Sequence, residues 1–387
     1  MQGEIEYHTK ERVTIKDISA KLGISSTTVH RALAGKEGMT DELRDKILQT
    51  AREMGYEINY AASCIKRKLQ KIAVILPLEE DRYFDNIWKG IRKQAEEARP
   101  LNVDVEVFAC KDEWDERDIL KTIADKGAGE YAGVLAFSYS SSYSRTTEIM
   151  MELQRLITMK IPTFMIDDDM VEPAGIYCIP AYQKEIGELA AELTALMTPE
   201  EGTVLVSRGR EDSTIHREKL QAFQDYLRKH KPGLKIVLID GYSTKEELDG
   251  PVRENIKKAL QEHTDVKLYY AQTSGDTRVA AEVFRENKEK CNFVRIGTDL
   301  NCYTAESIRK GELTLVIDQG GYRKGYMGLG ALVDTVVKHI KPEQKLNITL
   351  DVVCQSNLIF YDIQICNIRK MVIINSTALL CIYNKMF

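Results

Sequence analysis

Several common features are missing from this 387-residue chain, and each absence narrows what it does. No stretch supplies the roughly twenty uncharged apolar residues of a membrane span; the nearest, Met371 to Tyr383, is shorter and contains Asn and Ser. The opening residues, MQGEIEYHTKER, lack the apolar run of a secretory signal. The eight cysteines (Cys64, Cys110, Cys178, Cys291, Cys302, Cys354, Cys366, Cys381) form no C-x-x-C pair and have no His at ligand spacing. Reduced thiols are therefore expected over a disulfide frame or a zinc site. Neither G-x-x-x-x-G-K-[ST] nor G-x-S-x-G occurs, and Gly202-Thr-Val-Leu-Val-Ser-Arg-Gly209 reads as a strand and turn, not a phosphate cradle. The expectation is a cytoplasmic protein that is not an enzyme, with no catalytic residues, no metal, no cofactor and no membrane partner.

What is present suits a folded chain of more than one domain. Hydrophobic residues at 43% and charged residues at 29% leave ample material for a core. The net charge of −5 argues against a nucleic-acid partner at first sight, but it is unevenly spread. Residues 1–70 carry 12 Lys/Arg against 10 Asp/Glu, leaving 42 against 49 for the rest. A slightly basic head on an acidic body is compatible with local phosphate contact.

The most informative stretch runs from Val13 to Leu33. Thr14 is placed to cap a helix carrying Ile15, Ile18 and Leu22 on one face, and Gly23 permits a sharp turn. Ser25 is placed to cap a second helix, Ser26 to Leu33, with Val29, Ala32 and Leu33 inward. Ser26, Thr27, His30 and Arg31 are then left outward. That pattern describes a helix-turn-helix, with an ordinary helical hairpin as the alternative. A third helix after Thr40 carries Leu43, Ile47, Ala51 and Met54 and closes at Gly55-Tyr56.

Over these residues the sequence resembles the lac repressor family of transcription regulators. The matching pattern is V-T-I-x-D-[IV]-x-x-x-x-G-[IV]-S-x-x-T-V-x-R-x-L, then G-x-x-G, then G-Y closing the third helix, then the N-x-A-A of Asn59 to Ala62. The resemblance implies a DNA-binding head over residues 1–56 and a hinge over 57–70. It implies that Ser26, Thr27 and Arg31 read base edges, with His30 beside them in place of the usual Ser. Thr14, Thr28 and Asn59 would hold phosphates, Ala62 would lie in the hinge contact, and Ile65 would wedge into the minor groove. The chemistry is apt: Arg bonds guanine bidentately, small hydroxyls adapt to either base, and an apolar wedge kinks a flexible step. Ile58 and Ser63 depart from the usual hinge Pro and Arg. A homodimer on a pseudo-palindromic operator in double-stranded DNA is implied.

From Lys71 onward, apolar runs of strand length alternate with helical stretches. They begin with Ile72 to Pro77, Val103 to Phe108, Ala132 to Phe137 and Pro162 to Ile166, and end with Leu313 to Ile317 and Asp351 to Cys354. About ten such units predict an α/β body of two parallel sheets with helices on both faces. Polar clusters follow the strands, where such sheets bind ligands: Asp81-Arg-Tyr-Phe84, Ser138-Tyr-Ser140, Asp167-Asp-Asp169, Gly297-Thr-Asp299 and Asp318-Gln319.

This body, 71–358, resembles the two-lobed periplasmic sugar-binding-protein fold that follows the hinge in the same family. The resemblance implies lobes of about 71–167 with 300–320 and 172–298 with 325–358, three crossings, and a cleft between them. Tyr83 and Phe84 match the aromatic pair at the cleft mouth, Asp167 the acid after the fourth strand, and Arg217 the arginine of the helix that follows Ser213. Asp299 matches the acid of the G-[FY]-D turn, and Gln319 the glutamine before Gly325. Such a set suits a carbohydrate effector, because vicinal hydroxyls need paired donors and acceptors while a ring covers the C–H face. Asp168 stands where the family often has Arg, which tilts the expected ligand toward a cationic or heavily hydroxylated one. Gln272-Thr-Ser-Gly-Asp276 replaces the N-D-x-x-A signature. The implied function is a sequence-specific DNA-binding transcription regulator, expected to be a repressor, controlled by a small sugar or polyol bound between the lobes, with a sugar receptor lacking any gene-regulatory role as the alternative. Residues 359–387 extend past the resemblance, and an added strand or a loose tail are equal readings.

Overall fold

The computed structural model describes residues 13–33, 38–56, 68–77, 82–137, 147–168, 175–209, 213–241 and 249–361. The hinge contacts expected of Asn59, Ala62 and Ile65, and all of the C-terminal extension beyond residue 361, lie outside these.

The described residues of the head form three helices, α1 (Ile15–Leu22), α2 (Ser26–Leu33) and α3 (Asp41–Glu53). The Asp17 carboxylate accepts from the Thr14 backbone N–H and hydroxyl, both at 2.7 Å, and closes the start of α1. Gly23 ends that helix at φ 66°, a left-handed conformation that costs glycine little. Ser25 Oγ accepts from the Thr28 N–H at 3.1 Å and lies 2.8 Å from its hydroxyl, so α2 is capped in its first turn. Ile18, Val29, Ala32, Leu33, Ile47 and Ala51 form the small core.

The described residues of the body form eleven strands in two sheets. β1 (Gln70–Pro77), β2 (Val103–Cys110), β3 (Tyr131–Phe137), β4 (Thr163–Ile166) and β5 (Ile176–Ile179) make the first, in the order β2-β1-β3-β4-β5, all parallel. The second holds β6 (Gly202–Ser207), β7 (Leu234–Ile239), β8 (Val266–Ala271), β9 (Val294–Thr298), β10 (Leu315–Asp318) and β11 (Asp351–Cys354). Its order is β11-β10-β9-β8-β6-β7, parallel except for the β10–β11 pair. The central strands are buried over all but their first one or two residues, as their continuous apolar runs predict. Helices α4 (Arg82–Ala98), α5 (Glu113–Lys126), α6 (Thr147–Thr158), α7 (Gln183–Met197), α8 (Thr214–His230), α9 (Asp249–Glu262), α10 (Ser274–Glu286), α11 (Cys302–Arg309) and α12 (Gly321–Lys338) connect them.

The lobes differ from the expected ones in their returning segments. β10 lies between β9 and β11 in the second sheet, so residues 300–320 belong to the second lobe. α12 packs into the first lobe's core, with Leu329, Leu332, Val333 and Val337 among Ile72, Val74, Ile87 and Leu135. The first lobe also keeps β5, and the first crossing follows it, at 180–182. Every strand here is a similar apolar run, so sequence alone does not tell which sheet each one joins. The chain crosses again between β10 and α12, and a third time between α12 and β11. Tyr182 and Gly320, at φ 55° and 70°, turn the chain at the first two crossings.

Candidate functional site

In each sheet an aspartate follows a central strand and turns out of it in the left-handed region. Asp167 after β4 has φ 58° and donates its N–H to the Ile179 carbonyl at 2.8 Å. Asp299 after β9 has φ 67° and donates to the Ile317 carbonyl at 2.9 Å. A non-glycine residue held this way, twice, at the carboxyl ends of facing sheets marks a site where side-chain direction outweighs backbone comfort.

On the first wall, α12 brings Lys324 to Asp167. Its Nζ donates to Asp167 Oδ1 at 2.5 Å and to the Tyr83 hydroxyl at 3.2 Å, while that hydroxyl donates to Asp167 Oδ2. Lys324 is 1% exposed. Burial, and then the Asp167 charge, raise the Tyr83 phenol well above its usual range, so it stays a neutral donor. Tyr83 meets Phe84 edge-on at 5.0 Å, and Phe84 meets Phe137 edge-on at 4.8 Å. Phe84 is thereby a core residue behind the wall, and Tyr83 is the ring of the pair that takes part in the polar network.

On the second wall, Gln319 Nε2 donates to Asp299 Oδ1 at 2.7 Å. Burial, and then neighbouring Asp318, push the Asp299 carboxyl up to about 7. Asp318 itself accepts from the N–H groups of Leu300 and Gly320, and burial raises its carboxyl too. α8 contributes Lys219, whose Nζ donates to the Gln272 carbonyl at 3.1 Å. Burial lowers the Lys219 ammonium to about 8, against the opposing pull of Asp299 and Asp167. The charges of Lys219 and Lys324 both act on the Asp299 carboxyl and lower it against the effect of burial. Asn86 on α4 donates to the Leu300 carbonyl and ties the lobes directly.

Arg217 is not in this cluster; the structure leaves it exposed on α8. The buried stripe of that helix is Lys219, Ala222, Phe223 and Leu227, and a residue two positions from Lys219 points about 200° away. The cation on this wall is Lys219. Lys324 was equally hidden from the sequence reading. Both carried a signal: each is a lysine inside its helix's apolar stripe, Lys324 among Gly321, Gly325, Gly328 and Leu329. Gln272, directly after β8, is buried and donates its Nε2 to the Arg208 carbonyl. Among the described residues, no group of three or more His, Cys, Asp or Glu is placed to hold a metal ion.

In the head, Ser26, Thr27, His30 and Arg31 are exposed on one face of α2, and Thr14 is exposed at the start of α1. Thr28 is half-buried against Ser25. A Cβ on Gly38 would come within 2.7 Å of Arg31 Nη2, so the turn before α3 runs close to the guanidinium.

Residues 72–338 match the family of periplasmic binding protein domains, and residues 14–59 match the lacI family of bacterial regulatory proteins. The chain belongs to the LacI family. Relatives include the transcriptional regulator MalR of Streptococcus pneumoniae, 24% identical over 282 residues, covering 62% of this chain and 82% of that one. The ribitol operon repressor of Klebsiella aerogenes is 32% identical over 91 residues, 22% of this chain and 34% of its own. Among solved structures, a LacI transcriptional regulator from Bacteroides fragilis superposes with TM-score 0.64 at 18% identity, over 76% of this chain and 100% of that one. GanP, a glucose-galactose binding protein from Geobacillus stearothermophilus, gives 0.61 at 20% identity over 76% and 99%. These two establish the fold of the body. As a LacI-family member, the protein is a DNA-binding transcription regulator. No helix of the described residues is long and apolar enough to cross a membrane.

Proposed function

We propose that this LacI-family protein is a repressor whose hold on a pseudo-palindromic operator is set by a small sugar or polyol bound between the lobes. The observation that carries the effector half is the buried polar cluster at the facing strand ends: Tyr83, Asp167 and Lys324 on one wall, Lys219, Asp299 and Gln319 on the other. Donors and acceptors alternate there beside an aromatic ring, which is the equipment hydroxyl groups require. Phe84 supports the ring from behind, and Arg217 has no part in this reading.

For the DNA half, Ser26, Thr27, His30 and Arg31 read base edges in the major groove and Thr14 and Thr28 hold phosphates. Asn59, Ala62 and Ile65 complete the contact through the hinge. Two heads in a homodimer supply the affinity that one small module lacks. Closure of the lobes on the effector repositions the hinges and so couples the two ligands.

The test is selection of genomic fragments by the purified protein, repeated with a carbohydrate pool and over a salt series. The expected result is a pseudo-palindromic site whose occupancy changes with one sugar. Binding that is uniform across sequences and fades only with salt would reduce the head to a generic DNA contact.

A further inference from the structure

The lobe-1 wall differs from what its aspartates promise on paper. Asp167 and Asp168 in succession suggest a surface that accepts hydrogen bonds and favours a cation. Asp167, however, is already engaged: Lys324 takes one oxygen and the Tyr83 hydroxyl takes the other. Lys324 makes these contacts from α12, at 1% exposure, and two of its three N–H groups go to Asp167 and Tyr83. Its third has no acceptor among the described residues. Across the gap, the only acceptor of Lys219 among the described residues is the Gln272 carbonyl. Two buried ammonium groups therefore have N–H groups to spare, while one carboxylate that would have welcomed a cation is neutralised in place.

We infer that Lys324 is a specificity-determining residue of the cleft: it converts the Asp167 wall from an acceptor into a donor, selecting effectors that present a lone-pair oxygen there and rejecting those that present an ammonium. This rests on the cleft being the effector site. The chemistry is direct. A hydroxyl or carboxylate oxygen accepts from Lys324 or Lys219, and a hydroxyl donates onward to Asp299. An amino group carried as its ammonium ion finds both Asp167 oxygens already taken and lies beside the Lys324 and Lys219 ammonium groups, whose repulsion is screened less at buried positions than at exposed ones. Lys324 thus settles the choice that Asp168 left open, in favour of a hydroxylated ligand over a cationic one.

The experiment is isothermal titration of the full-length protein at neutral pH with three matched series. These are D-glucose, D-glucuronate and D-glucosamine; D-galactose, D-galacturonate and D-galactosamine; and ribitol, ribonate and 1-amino-1-deoxyribitol. In any series that binds, the neutral or acidic member is expected to bind at least about tenfold more tightly than the amine. Lys324→Met uncovers Asp167, and the amine should gain about tenfold relative to its neutral partner. The double variant Asp167→Asn with Lys324→Met removes the uncompensated charge, guarding against loss of fold, and should lose that gain. A purely structural role for Lys324 would lower thermal stability and leave the ratio where it was, and that result overturns the inference. So does a wild-type preference for the amine, or no binding in any series. Retention of operator binding in the last case confines the failure to the cleft and leaves the regulatory head standing.

Discussion

Asp299 shows most plainly what burying the site does to one residue. Its carboxyl is pushed up to about 7 by burial and by Asp318, against an unfolded value near 3.8. The folded protein therefore keeps a proton that the unfolded chain releases once the pH passes about 4. Stability from this group is fully present below the unfolded value and is lost as pH rises toward the folded one. Between pH 5 and pH 7, Asp299→Asn should flatten the decline in the urea midpoint of the effector-free protein. An unchanged slope would mean that another acid, Asp318 first among them, carries the titration. Lys219 behaves in the opposite sense. Its ammonium, lowered to about 8, costs stability at neutral pH that returns only above that value. Both residues are held in unfavourable states that hydroxyl groups of an effector would relieve.

Among the elements, the α4–α12 pair governs whether the first wall can form. A Cβ on Gly90 would overlap the Tyr322 carbonyl oxygen and lie 2.7 Å from the Tyr326 nitrogen, and a Cβ on Gly325 would overlap the Ile87 carbonyl oxygen. The two helices therefore touch backbone to backbone, each through its own glycine. Tyr83 sits in the first turn of α4 and Lys324 in the first turn of α12, so this contact sets the spacing across which they bond. Gly90→Ala should cost about 1–3 kcal/mol by overpacking. It should also weaken effector binding, because the Lys324–Tyr83 contact opens. Chemical denaturation with titration of the same variant checks both, and a loss of stability with intact effector affinity would detach the helix pair from the site.

For the whole molecule, the proposed coupling makes a quantitative demand. Asn86 reaches from the first lobe to Leu300 in the second, and the chain crosses between the lobes beside Tyr182 and Gly320. Closure of the lobes, as proposed, would act on all three crossings together. If an effector changes operator affinity by some factor, expected to lie at about 5- to 150-fold, the operator must change effector affinity by the same factor. Fluorescence titration of the effector with and without operator DNA measures it. An effector affinity left unchanged by operator DNA would show that cleft and head are not coupled.

Much of this protein was written locally and so could be read from the sequence. The head was legible because its caps, Gly23 turn and short apolar stripes are nearest-neighbour features: Thr14, Ser25 and Thr40 stand where the helices begin. Strand and helix alternation through the body was legible for the same reason, as were Asp167 and Asp299, which follow apolar runs directly. The tertiary structure decided three things. It assigned β10 to the second sheet and α12 to the first lobe, because sheet membership is a long-range pairing between runs of similar composition. It put Lys219 inside and Arg217 outside, because the phase of a helix is fixed by what it packs against. It also joined Lys324 to Asp167, 157 residues away in the chain, an ion pair that exists only once two crossings have brought α12 back to β4.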